Sequence, residues 1–222
     1  MNWLTLNWPQ VIELTRDHLL LSAPAIVLSV LLAVPIGRLA HRRPRLGGAV
    51  LGAAGLLYAI PALPLLIIIP VLFGIPLRSP ATMIIALTVY GLALLVRTAA
   101  DAFGSVDPRV REAAVAVGHS PLGVFWRVDL PLAVPVLLAG VRVVAVSTVS
   151  LVTIGALIGV PSLGTLLTDG FQRGIPAEVA TGVIATMALA LLFDALLIAA
   201  GRALTPWTAK RRERLLPRAE TT

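Results

Sequence analysis

The chain has 222 residues, no cysteine, 58% hydrophobic residues, only 13% charged ones, and 18 Lys+Arg against 11 Asp+Glu. Soluble domains carry about 25% charged residues, so a soluble globular domain is excluded. The absence of cysteine excludes disulfides, thiolate metal sites and thiol nucleophiles together, and His18, His41 and His119 fall in separate segments, so no metal site is expected.

Residues 1–18 contain Glu13 and Asp17 and lack a basic stretch ahead of the apolar run, so they are expected to be an extracytoplasmic N-terminal segment and not a cleaved signal. Charge-free runs then follow at 19–37, 46–77, 79–96 and 143–168. A hydrocarbon core needs about 20 apolar residues per helix, so these runs, with two further apolar stretches each interrupted by one charge, make an all-α integral membrane protein. Five transmembrane helices are expected near 19–37, 49–73, 80–97, 131–157 and 178–201, which gives a transmembrane domain over 19–201 and a basic tail over 202–222.

With those spans, fourteen basic residues fall on one side of the membrane, among them Arg38, Arg42, Arg43, Arg45, Arg97, Arg109, Arg111, Arg127 and the tail. Only Arg16, Arg78 and Arg173 fall on the other, and Arg142 lies within the fourth span. The positive-inside rule places the N-terminus outside and the tail in the cytoplasm. This accounts for the net charge of +7 without nucleic-acid binding, and the tail also suits anionic membrane lipid.

In the second span, Pro61, Pro64 and Pro70 each remove a backbone donor, so a break or kink is expected there. It either lines a wet pathway or merely packs. In the fourth span, Gly155 and Gly159 stand four apart, which would place both on one helix face for close approach of a neighbour. After it, Ser162 is a candidate cap for a short helix near the outer face, broken at Gly170, Gly174 and Pro176.

The loop 101–130, between the third and fourth spans, has a definite grammar. Asp107 suits an N-cap and Pro108 the first helical position. Val110, Ala113, Ala114 and Val117 then share one helical face, with Arg109, Arg111 and Glu112 around the other. Gly118 suits a left-handed stop, and Ser120 with Pro121 starts a second short helix that runs to Pro131. Such short helices are unstable alone in water and must pack on the membrane, on their own bundle or on a partner.

EAAVAVGHSPLGVFWRVDLPLAVPVLLAG, from Glu112 onward, resembles the EAA loop of binding-protein-dependent ABC importer permeases, matching at Glu112, Ala113, Ala114, Gly118, Leu130 and Pro131. Together with GRLAHRRPRLGG, IPALPLL and LVRTAADAFGSVDPRVREAA, most of the chain is similar to permease subunits for osmoprotectants such as glycine betaine, choline and carnitine. The resemblance implies a type I importer permease fold in a prokaryotic plasma membrane, with residues 108–131 as a cytoplasmic coupling helix. It implies docking on an ATPase subunit through Arg111, Glu112, Ala113, Ala114, Gly118, His119, Ser120 and Pro121, up to the loop end at Leu130 and Pro131. It implies two ATPase subunits, which use ATP and Mg, an extracellular substrate-binding protein, and a second permease subunit, identical or homologous. The chain departs from the commoner pattern at Tyr58, Ala59 and Ala62, where many relatives have Gln-Thr and Ser.

No catalytic residue is expected in this chain. Its one lysine, Lys210, follows Ala209, so no P-loop exists and ATP hydrolysis belongs to another polypeptide. Candidate pathway residues are Tyr58, Pro61, Tyr90, Arg142, Thr148 and Thr153. Arg142 would meet either a substrate carboxylate or a structural partner such as Asp194, and the threonines would either line a cavity or bond back to the preceding turn. The substrate expected from the resemblance is a quaternary-amine osmoprotectant, with an amino acid or other small zwitterion as the alternative. An ion-coupled carrier fits less well, because no convincing internal repeat is present and Asp194 is the sole acidic group in the interior of a span. An intramembrane serine hydrolase fails because residue 122 is leucine where the nucleophile turn wants glycine.

Overall fold

The computed structural model describes residues 2–207, which places most of the basic tail, including Lys210, outside the described residues. The described chain is a helical bundle without strands. Its helices are α1 (Asn2–Arg42), α2 (Pro44–Ala59), α3 (Ala62–Phe73), α4 (Pro80–Gly104), α5 (Pro108–Ala116), α6 (Pro121–Val124), α7 (Leu130–Val152), α8 (Leu163–Gln172) and α9 (Pro176–Leu204). Four helical stretches are long and apolar enough to span a membrane, and α2 with α3 pass the same test only together, as a pair bent by 110°. The bend falls at Ile60 and Pro61, where both residues turn extended, as expected for a proline that cannot continue the preceding helix.

One boundary differs from expectation. Helix α1 begins at Asn2, kinks only at Asn7 and runs on without a break at residue 18. Its 41 residues give about 60 Å of helix, twice a hydrocarbon core. The first half is held because Val11 and Leu14 are buried against Val149, Leu163, Leu166 and Leu189, while Glu13 and Arg16 stay exposed. Charge content drew the expected boundary, but helical spacing of Val11, Leu14, His18, Leu21 and Ala25 carries the buried stripe through it.

The bundle is closed by small residues. Ser29, Ala33 and Gly37 recur every fourth residue on α1 and let α4 approach, and a Cβ on Gly37 would lie 2.5 Å from Ala99 Cβ and 2.8 Å from the Ala100 amide nitrogen. Lipid tails give helices no hydrophobic incentive to associate, so close backbone packing of this kind holds them together. By contrast α9 buries little beyond Glu178, Gly182, Leu189 and Gly201, which leaves most of its surface for lipid or another subunit.

Helix α7 tightens after Val152 into a 3-10 segment, Thr153–Ile158, which ends at Gly159 with φ 82. Gly155 and Gly159 therefore do not share an α-helical face, contrary to expectation. Gly155 packs on the Met83 side chain, and Gly159 terminates the helix. The tightening makes room for α8, whose Gly164 lies against the Thr153 backbone. Ser162 caps α8 with a reciprocal Thr165 bond, as expected. Gly170 lies inside α8 because Glu178 and Val179 crowd it, so that helix breaks only at Gly174.

Candidate functional site: a docking hairpin and a polar trough

The hairpin between α4 and α7 is built by local rules. Asp107 Oδ1 accepts the Arg109 N–H at 2.9 Å, and Pro108 opens α5. At its end the His119 N–H reaches back to Ala114 O at 3.0 Å and Gly118 adopts φ 90, the left-handed corner. Ser120 Oγ then accepts the Gly123 N–H at 3.2 Å and starts α6 at Pro121. The second arm does not stop at Pro131. A π-type turn, Phe125–Asp129, feeds it into α7, with the Leu130 N–H bonded to Phe125 O; the wider turn absorbs the donor that Pro131 lacks.

Of the expected apolar face, only Ala114 is buried, while Val110, Ala113 and Val117 are exposed. Val117 is 77% and Leu122 69% exposed, and with Val115 and Glu112 they form an uncovered tip. Gly118, Ser120 and Pro121 make its corner, and His119 is partly covered beside Gly123.

Arg111, expected among the docking residues, is turned inward. Its Nε donates to Asp129 Oδ1 at 2.5 Å and its Nη2 to Phe103 O at 2.7 Å, one of the carbonyls left free where α4 ends. Asp129 was not singled out from sequence, yet its side chain is 3% exposed and also has Arg38 at 3.8 Å and Arg42 at 3.9 Å. The Arg38 guanidinium stands 3.6 Å from the centre of the Phe125 ring. One carboxylate thus ties α1, α5 and the π turn together, with Leu130 packed beside Phe103 and Leu137.

Farther along α7, Arg142 meets Asp194 in a two-pronged pair, Nε to Oδ1 at 2.7 Å and Nη2 to Oδ2 at 2.9 Å. This joins α7 to α9. The pair lies on a trough made of two depressions, of about 560 and 410 Å³, which share Val146 and Asp194. Ser147, Ser150, Thr153 and Thr186 supply its other polar groups. Ser150 and Thr153 also bond back to Val146 O and Ser150 O, at 3.1 and 2.6 Å.

The expected pathway residues therefore fall into separate groups. Arg142 and Thr153 share the trough, whereas Thr148 is buried on the opposite face of α7. Tyr58 and Tyr90 pack ring to ring at 5.1 Å beside the Pro61 break. The cleft that Tyr90 lines is only about 10 Å³, scarcely room for one water.

His18, which sequence reasoning left without a role, is fully buried with Nε2 2.9 Å from Val149 O. That carbonyl loses its helical partner because the Thr153 N–H turns to Ser150 O where α7 tightens. The histidine thus satisfies an acceptor orphaned by the 3-10 transition. Among the described residues, no three His, Asp or Glu side chains come together as metal ligands.

A bundle of four to five membrane-crossing stretches, with an exposed, internally clamped hairpin and a polar trough beside its poorly buried last helix, is the architecture of a multi-pass membrane protein. The chain belongs to the family described as "Binding-protein-dependent transport system inner membrane component", which matches residues 21–210. It is 34% identical over 203 residues to the osmoprotectant import permease protein OsmW of Salmonella typhimurium, covering 87% of this chain and 91% of that one. It is 28% identical over 215 residues to the choline transport system permease protein OpuBB of Bacillus subtilis, covering 97% and 98%. With the carnitine transport permease protein OpuCD of Listeria monocytogenes it shares 29% over 207 residues, covering 93% and 92%. The fold matches a chain of the MetNI methionine ABC transporter in an inward-facing conformation, with TM-score 0.78 at 21% identity over 88% of this chain and 96% of that one. The protein is a permease subunit of this importer class, an integral component of the plasma membrane.

Proposed function

We propose that the chain carries a quaternary-amine osmoprotectant of the glycine betaine, choline or carnitine class across the membrane, driven by ATP hydrolysis in separate subunits. The observation that carries the coupling half is the hairpin, whose tip of Val115, Val117, Leu122 and Glu112 is uncovered while its base is clamped on Asp129. An apolar tip on a rigid base transmits a push, whereas a loose loop would absorb it. The hairpin end faces the cytoplasm and two ATPase subunits, one for each permease of a dimer, and an extracellular binding protein delivers substrate from the opposite side. Closure of the ATPases on ATP pulls the hairpins and favours one access state, and hydrolysis releases it. Glu112, Ala113, Gly118, His119, Ser120 and Pro121 form the docking surface with the apolar tip of Val115, Val117 and Leu122, and Arg111 and the buried Ala114 act from behind it.

The Arg142–Asp194 pair supports a zwitterion in particular, because it holds both charges in the open trough. A substrate with a carboxylate and a quaternary ammonium can replace each partner in turn and leave neither charge bare. Within the class this favours glycine betaine and carnitine over choline, which lacks a carboxylate and would leave Arg142 without a counter-charge.

The test is ATP-dependent uptake by proteoliposomes holding the permease with its ATPase and binding protein. Glu112→Lys is expected to lower uptake by roughly tenfold or more, since a reversed charge at a complementary docking surface costs several kcal/mol. Uptake at the wild-type rate by a correctly folded Glu112→Lys complex overturns the docking assignment.

A further inference from the structure

We propose that the groove between α1 and the base of the hairpin is a binding site for one acidic phospholipid of the leaflet on the hairpin side, its phosphate held by Arg38 and Arg42. The groove has a volume of about 650 Å³ and is walled by Val30, Leu31, Val34, Leu39, Trp126 and Leu130, with the two arginines at one end. From Val30 to Arg42 the helix rises about 18 Å, slightly more than one leaflet of a hydrocarbon core roughly 30 Å thick. An acyl chain therefore fits along the wall with its headgroup level with the arginines.

Charge points to an anionic headgroup. Arg38, Arg42 and Arg111 share the single carboxylate of Asp129, which leaves two positive charges without a counter-ion in the cluster. Arg111 is consumed by its bonds to Asp129 and Phe103 O, whereas Arg38 and Arg42 stand 3.8 and 3.9 Å from Asp129, beyond hydrogen-bond length. The Arg38 Nε is buried without a hydrogen-bond partner, and the Arg42 side chain is 51% exposed. A phosphate diester at the groove end gives both guanidiniums the partner they lack, in the geometry arginine suits best. Basic pockets between membrane helices at the cytoplasmic face are read by anionic headgroups in this way.

The site touches Asp129 through both arginines, so an occupied groove stiffens the base on which the docking hairpin stands. The binding claim itself depends on neither the transported substrate nor the ATPase.

Trp126 in the groove wall provides the readout. The full-length chain with Trp3, Trp8 and Trp207 changed to Phe, so that Trp126 is the remaining tryptophan, is placed in phosphatidylcholine nanodiscs with graded amounts of acyl-brominated phosphatidylglycerol or acyl-brominated phosphatidylcholine. Saturable quenching is expected at a several-fold lower mole fraction of the brominated phosphatidylglycerol. Arg42→Gln should raise the half-quenching fraction roughly fivefold, the equivalent of about 1 kcal/mol for one basic residue at an anionic surface, and Arg42→Lys should restore most of it. Arg42 makes no short bond to the bundle, so its variants keep the fold, which circular dichroism and gel filtration verify. Equal quenching by the two lipids overturns the proposal and leaves ordinary acyl contact. Absence of quenching by either also overturns it, and means that a second copy of the chain covers the groove.

Discussion

Two arginine–carboxylate sites lie on the same bundle and are built in opposite ways. At the hairpin base one buried carboxylate faces three guanidiniums from two helices, and a fourth contact runs to a helix-end carbonyl. At mid-span one carboxylate faces one guanidinium, both oxygens are used, and both side chains remain partly open to the trough. The first has more partners than one carboxylate can satisfy. The second is complete in itself, with both oxygens used. The difference separates a many-partnered clamp around a buried carboxylate from a single pair open to a trough.

Breaking the clamp should have the largest effect. Asp129→Asn keeps the shape of the side chain and removes the charge on which Arg38, Arg42 and Arg111 converge. Removing one partner of a buried ion pair costs about 3–5 kcal/mol, because the remaining charges stay in place unpaired. The expected outcome is a lower unfolding midpoint for the purified chain and rapid amide exchange through α5, with co-purification of an ATPase lost. An unchanged midpoint would mean that the arginines are neutralised by something other than Asp129.

The second site sharpens the contrast, because there transport should suffer and folding should not. Asp194→Asn and Arg142→Gln are each expected to leave the unfolding midpoint close to wild type, since both side chains are partly exposed. Each should lower uptake of a zwitterion such as glycine betaine by roughly tenfold, the effect of losing one charge-assisted hydrogen bond in a bound state. Asp194→Asn should impair choline and glycine betaine, whereas Arg142→Gln should impair glycine betaine more than choline. Equal losses for both substrates in both variants would return the pair to a purely structural role. The charge swap, Arg142→Asp with Asp194→Arg, should likewise keep the unfolding midpoint and leave transport impaired.

These sites also show what was legible in the sequence. The hairpin was, because Asp107, Pro108, Gly118 and Ser120 act on backbone groups within a few residues, and caps obey local rules. The break at Pro61 was legible for the same reason. The Asp129 cluster was not, because its partners come from α1 and α5 and only tertiary folding brings them together. Gly155 and Gly159 misled because a four-residue spacing predicts a shared face only while the helix stays α, and α8 pressing on Thr153 coincides with a change to 3-10 there. Arg142 stood out as a charge at depth, and both roles considered for it depended on what stood opposite, which spacing does not reveal. The early part of α1 carried a readable stripe that the charged Glu13, Arg16 and Asp17 obscured.

The smallest expected effect tests the hairpin corner itself. Gly118 holds φ 90, and a Cβ placed there would meet nothing within 4 Å, so any penalty for substitution comes from the backbone alone. A left-handed conformation costs an L-residue about 1–2 kcal/mol, less for asparagine, whose side chain bonds locally. Stability of the hairpin, read as protection of the α5 amides against hydrogen exchange, should therefore fall in the order Gly118, Gly118→Asn, Gly118→Ala, Gly118→Val. Because Asp129 clamps the base, the loss should stay within the hairpin and leave global unfolding nearly unchanged. If Gly118→Ala lowered the global midpoint as far as Asp129→Asn, corner and clamp would form one cooperative unit, and the hairpin would owe its rigidity to its own turn as much as to the arginines beneath it.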